Sequence, residues 1–312
     1  MSIFQPYIGL TTTARKEWEK IHGKLSRNNV PNIMQDMLDI SLTHLPQIPG
    51  SLNQETITIL LEMTHYLLSH KVYYVETTLA RSLMRTNINL QLSDLKLPYR
   101  IFEVSFKDDL KTPEGPIPSF LIAIMPGQSE INVCNAFLNK SNKSIPWQLN
   151  DSMGNLVYVR YQAAEGGICH ANIPAEFFVD RSIDEAVEAL GKNRLNTFQF
   201  TVEFSDSDKK IQSNLLRIAM GLLCYINIEN PDIQEWKNKN RPAFGLIKPD
   251  GWRIGASIPD SWFLRKGHFM VLRHERYKRQ DGKTRIVWRR PHEVLHKEKP
   301  LVPDAREEVV DS

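Results

Sequence analysis

Tyr99-Arg100-Ile101-Phe102-Glu103-Val104-Ser105-Phe106 and, a short loop later, Ser119-Phe120-Leu121-Ile122-Ala123-Ile124-Met125 are compact runs rich in β-branched and aromatic residues, bounded by proline and glycine. Those are strand signals, and Lys107 to Pro118 between them, with three prolines and a glycine, is a loop. Two further runs read the same way, Asn155 to Tyr161 and Thr197 to Phe204. In the second, Phe198, Phe200, Val202 and Phe204 alternate onto one face. Between them Ser182-Ile183-Asp184-Glu185 has capping-box spacing and opens a helix that Gly191 can close. Asp208 to Asn227 carries Ile211, Leu215, Ile218 and Leu222 on one helical stripe, widened by Leu216 and Leu223, and Pro231 ends it. On the amino-terminal side, roughly residues 12 to 92 read as helical: two amphipathic stretches, a capping box at Ser51-Leu52-Asn53-Gln54, a stripe through Ile57, Leu60, Leu61, Leu67 and Leu68, and a helix over Glu76 to Met84. The polar Asn227 to Asp250 region reads as a mobile connection. The fold class is α+β: a helical amino-terminal part, a mostly antiparallel sheet with covering helices, and a basic carboxy-terminal β-hairpin.

The chain has 312 residues, 41% hydrophobic and 24% charged, which excludes wholesale disorder. Its longest apolar run, Ile218 to Ile226, is far shorter than the roughly 20 residues of a membrane-spanning helix. The start, Met1-Ser2-Ile3-Phe4-Gln5-Pro6, carries no secretion signal. Three cysteines, at 134, 169 and 224, form no paired spacing, so neither a disulfide framework nor a cysteine zinc site is expected. The expectation is a soluble protein of a reducing cytoplasm, without a membrane partner.

Net charge is +3 over the whole chain, but it is unevenly spread. Residues 265 to 299 hold twelve Lys or Arg against four acids, a local +8, and four of the nine histidines. Such segregation points to an anionic partner, or to a solvated face that balances acidic elements elsewhere. Gly267 to Lys278 and Thr284 to Arg289 read as two strands joined by Arg279-Gln280-Asp281-Gly282-Lys283, whose Asp-Gly is a hairpin turn signal. Arg273, Arg276, Tyr277, Lys278, Arg285, Trp288, Arg289 and Arg290 make this ribbon a candidate surface for phosphates and unstacked bases. The alternative is an edge hairpin whose cations keep it from pairing with other molecules.

Catalytic signatures are sparse. The sequence has no phosphate loop, no nucleophile elbow and no dinucleotide turn. Cys169 and His170 are adjacent in a strand-like run, so they point to opposite faces and do not form a dyad. His268 and His274 share a strand face but lie about 20 Å apart along it, too far for one metal ion. His292-Glu293-Val294-Leu295-His296 has the spacing of the zinc-peptidase motif, yet only Glu298 follows as a third ligand before Pro300 stops the pattern. Neither a cofactor nor a metal site is therefore expected, and whether His292 and His296 hold a metal stays open.

Two segments carry a family likeness. Lys266-Gly267-His268-Phe269 followed by Val287-Trp288-Arg289-Arg290-Pro291, with Leu215 to Leu223 and Asn230-Pro231-Asp232-Ile233 before them, resembles the carboxy-terminal elements of a family of phage and plasmid proteins. That family includes the type V-A anti-CRISPR proteins that lower expression of the type V effector nuclease through its messenger RNA. Gly267, His268, Phe269, Trp288 and Pro291 are the motif positions, with Phe269 standing where the family often has Trp. The resemblance implies a regulator in a bacterial host cell that engages a transcript or a nascent polypeptide, with the ribosome as a possible setting. If RNA is cleaved, His268 is the candidate general acid and base, because imidazole takes and gives a proton near neutrality. The competing expectation is a non-enzymatic protein-binding inhibitor that uses the hairpin as its contact surface. The organisation expected is a helical part over residues 1–96, an α+β core over 97–264, the basic hairpin over 265–299, and a disordered tail over 300–312.

Overall fold

The computed structural model describes residues 4–7, 18–24, 60–66, 70–107, 109–124, 156–162, 168–174, 181–192, 206–236, 250–258, 268–272 and 285–289, with a few single positions between them. Twelve strands are described. In chain order they are β1 (Lys71–Val75), β2 (Asn87–Ile88), β3 (Ile101–Phe106), β4 (Lys111–Thr112), β5 (Gly115–Pro116), β6 (Phe120–Ile124), β7 (Leu156–Gln162), β8 (Ile168–Pro174), β9 (Ile233–Glu235), β10 (Asp250–Ile254), β11 (His268–Leu272) and β12 (Arg285–Arg289). The helices include α1 (Thr77–Met84), α2 (Ile183–Lys192) and α3 (Asp206–Ile226).

Seven strands form one sheet in the order β8-β7-β6-β3-β1-β10-β9. Its centre, β3-β1-β10, is parallel, and every other neighbouring pair is antiparallel. The mostly antiparallel expectation therefore holds for the sheet as a whole. Strand alternation gives each face its own chemistry. Tyr73, Val75, Phe102, Val104, Phe106, Val157 and Val159 join one apolar core with residues of α1, α2 and α3. The opposite face presents Val72 and Tyr74, which pack with Phe4, but also Glu103, Ser105 and Arg160. A buried helical segment, 60–66, and the amino-terminal residues 4–7 cover it.

Four expectations need correction. Lys71-Val72-Tyr73-Tyr74-Val75 lies within the part read as helical, yet it is the central strand β1, because a β-branched and aromatic run covered on both faces fits a parallel ladder. Residues 233–235 and 250–254 fall in or at the end of the region read as a mobile connection, and they form β9 and β10 at the sheet edge. Gly191 does not close its helix, since α2 runs through it to Lys192. The loop over 107–118 contains the small β4-β5 hairpin. The proposed strand over Thr197 to Phe204, the capping box at Ser51 and the tail over 300–312 lie outside the described residues.

Other local readings match the structure. Ser182 caps α2 reciprocally with Glu185: the Glu185 N–H donates to Ser182 Oγ at 3.3 Å, and Ser182 N–H donates to Glu185 Oε2 at 2.8 Å. Arg217 of α3 pairs with Asp184 at 2.7 Å and holds α2 against α3. No helix among the described residues is long and apolar enough to cross a membrane.

Candidate functional site

The carboxy-terminal ribbon is present as β11 and β12, paired antiparallel with His268 opposite Arg289, Phe269 opposite Trp288, and Leu272 opposite Arg285. It is not a free arm. β11 adds in parallel to β2, with His268 beside Asn87 and Phe269 beside Ile88, making a second, three-stranded sheet. Phe269, Ile286 and Trp288 are buried in the main core. Trp288, expected to face nucleic acid, is 7% exposed and lies between Phe269, with ring centroids 5.8 Å apart, and Tyr225. That ring anchors the ribbon and, in this arrangement, is not open for a base to stack on. The same holds for Phe269, 1% exposed, at a family-motif position.

The backbones of His268, Arg285 and Arg289 sit in the two strands. Arg273, Arg276, Tyr277, Lys278, Arg290, Gly267, Pro291, His292 and His296 lie outside the described residues.

Two places that sequence reasoning missed also gather chemistry. The first is a cleft of about 360 Å³ between α1, the first half of α3 and the β4-β5 hairpin. Among the described residues, Arg81, Arg85, Lys111 and Lys210 line it, against the single carboxylate of Glu114. Glu114's own backbone N–H, with help from the Thr112 hydroxyl and Lys210, holds its carboxyl below the ordinary range. Lys210 stands 3.5 Å from it. The cleft is thus cationic and open to solvent, suited to an anionic group.

The second is the polar layer under residues 4–7 and 60–66. Glu62 forms an ion pair with Arg160, with Oε2 3.1 Å from Nε, and Tyr7 Oη donates to Glu62 at 3.3 Å. Glu103 Oε1 accepts the backbone N–H of Tyr7 at 2.7 Å, while its other oxygen lies 3.9 Å from His65 Nε2. Burial, followed by the charge of Glu62, pushes the Tyr7 hydroxyl well above the ordinary tyrosine range, so it stays a neutral donor. Ligand atoms of His65, His70 and Glu103 all lie within 4.8 Å of one another. The sequence signal was faint: two histidines five residues apart and a glutamate in a strand, joined only by tertiary packing.

The fold is a mixed α+β sheet with a carboxy-terminal ribbon docked on its core. The family model that matches the chain is that of the AcrVA2-like family, anti-CRISPR type V subtype A2, over residues 73–292. The chain belongs to that family. No curated protein matches it.

Proposed function

We propose that this anti-CRISPR-type protein lowers the amount of its target by engaging the target's transcript or nascent chain, with the carboxy-terminal ribbon as the contact. The observation that carries the reading is the family match, which spans the central sheet from β1 and the whole ribbon. The charge of residues 265–299 supports it, because a local +8 offers phosphates or acidic side chains a long-range attraction. The burial of Phe269 and Trp288 supports a particular mode: the ribbon engages backbone charge through Arg273, Arg276, Lys278, Arg285, Arg289 and Arg290, and stacking is left to Tyr277. The cationic cleft at Arg81 and Lys111 offers a second contact. Ribosome association would follow from action on a nascent chain. If a phosphodiester is broken, His268 is the acid–base residue, and His268→Ala abolishes transcript loss without affecting folding.

The test is co-expression of the chain with a type V effector, following effector protein and effector transcript together. Replacing Arg285 and Arg289 by Gln is expected to restore both, while wild type depletes both. Undiminished suppression by a folded ribbon variant overturns the reading. Depletion of effector activity at constant transcript and protein levels supports the second reading, a non-enzymatic inhibitor that binds its protein target through the ribbon. Salt separates the two contacts, since phosphate binding weakens along a straight line in log K against log salt.

A further inference from the structure

We propose that His65, His70 and Glu103 form an enclosed site for one divalent ion of the zinc class, which fastens the helical segment 60–66 to the central sheet. The three side chains come from different parts of the fold: His65 from the end of the helical segment, His70 from the residue before β1, and Glu103 from the middle of β3. His65 and Glu103 are 0% exposed and His70 is 1% exposed. Two neutral imidazoles and one carboxylate are a donor set that zinc takes. Tetrahedral bonds of about 2.0–2.2 Å place ligand atoms roughly 3.4 Å apart. His65 Nε2 and Glu103 Oε2, at 3.9 Å, are already near that separation, and all three ligand atoms lie within 4.8 Å. Closure around an ion needs side-chain movements of about an ångström at most.

The surroundings are arranged for such a site. Glu103 Oε1 accepts the Tyr7 N–H, which orients the carboxylate and leaves Oε2 turned towards His65. The Tyr66 ring meets both imidazoles edge-on, with centroids 5.0 Å from His65 and 5.3 Å from His70, and so sets their planes. The positive charge of Arg160 is met by Glu62, which shields the site from it. His70 holds a φ of +40°, a left-handed conformation uncommon for a residue with a side chain. A metal bond to its ring compensates that local cost. Three protein ligands leave the fourth tetrahedral position to a water enclosed with the ion; the ligands are closed to bulk solvent, so the role is structural, and the site stands apart from the ribbon and from the proposed action on a transcript.

The experiment uses the full chain, stripped with a chelator and then given Zn²⁺ or Co²⁺ alone, with bound metal measured after gel filtration. About one ion per chain is expected, with the intense visible absorption of tetrahedral Co²⁺ and a melting temperature raised by the ion. His70→Asn keeps a residue that tolerates positive φ, so it is the variant best suited to stay folded. It should weaken binding by at least roughly tenfold, as loss of supporting partners alone does in metal sites. A His292→Ala/His296→Ala double variant should keep the ion. Wild-type protein that retains no ion and melts at the same temperature with or without Zn²⁺ overturns the proposal. So does an ion that survives His70→Asn undiminished, or one lost with the His292 and His296 pair.

Discussion

Trp288 of β12 meets Tyr225, near the end of α3, edge to face, with ring centroids 5.1 Å apart and planes at 83°. The Tyr225 hydroxyl accepts the N–H of Asp232 at 3.2 Å, just before β9. One aromatic contact therefore joins the ribbon, α3 and the edge of the main sheet. The geometry is the offset perpendicular arrangement favoured by ring quadrupoles.

Truncating that ring should loosen the ribbon and the fold together. Trp288→Ala is expected to cost about 3–5 kcal/mol, the usual range for a large buried aromatic. Trp288→Phe, which keeps a ring against Phe269, should cost markedly less. Urea unfolding of the two variants measures the difference. A Trp288→Ala protein with wild-type stability would mean that the ribbon does not dock on Tyr225.

Glu76 carries a different kind of join. It precedes α1, and its carboxylate pairs with Lys107 and, at 2.5 Å, with Arg253 of β10. Its own N–H donates to Ile254 O at 3.1 Å, fixing the start of α1 to the end of β10. Glu76 is largely buried, but Lys107 and Arg253 keep 20% and 29% of their side-chain surface, so water screens part of the attraction. Glu76→Ala should destabilise by about 1–2 kcal/mol. The gap from wild type should narrow in high salt, measured as urea midpoints at two ionic strengths.

How much of this was legible in the sequence depended on whether the signal was local. β3, β6 and β7 announce themselves because each is a short β-branched run between turn residues, and α3 because its apolar stripe persists from Ile211 to Leu222. The Ser182–Glu185 cap is a spacing rule obeyed. β1 was hidden because its five residues follow a helical segment and precede α1 with no proline or glycine to mark the change. Trp288 misled for a physical reason: a ring amid arginines reads as a ligand contact, whereas pairing with Phe269 places it on the core side of the ribbon. His65, His70 and Glu103 share no sequence pattern, since only the closure of the helical segment over β3 brings them together.

The cap also makes a pH prediction. The Ser182 backbone N–H, then its hydroxyl, hold the Glu185 carboxyl below its ordinary range. A carboxyl with a lowered folded pKa contributes stability that is complete above its unfolded value, near 4.5, and is lost as pH falls through the lowered folded value. The melting-temperature difference between wild type and Glu185→Gln should therefore be constant at neutral pH and shrink on acidification below the ordinary carboxyl range. Ser182→Ala should cost about 1 kcal/mol at neutral pH through loss of the cap. A difference that grows on acidification would contradict this assignment.

Gly255 and Gly23 give a matched test of how closely α1 lies on the sheet. Both hold left-handed backbone, φ +81° at Gly255 and +83° at Gly23, so alanine meets a similar conformational cost at each. Their surroundings differ. A Cβ on Gly255 would stand 2.8 Å from Leu79 Cβ and 2.9 Å from Leu79 Cδ2, on a helix that cannot move away without dragging the core. At Gly23, among the described residues, no heavy atom lies within 4 Å of the added carbon. Gly23→Ala should cost about 1 kcal/mol, from the backbone alone. Gly255→Ala should cost about 2–4 kcal/mol, because overpacking adds to the same backbone term. Unfolding in urea gives both numbers, and equal costs would mean that α1 does not approach the end of β10 as closely as Leu79 and Gly255 require.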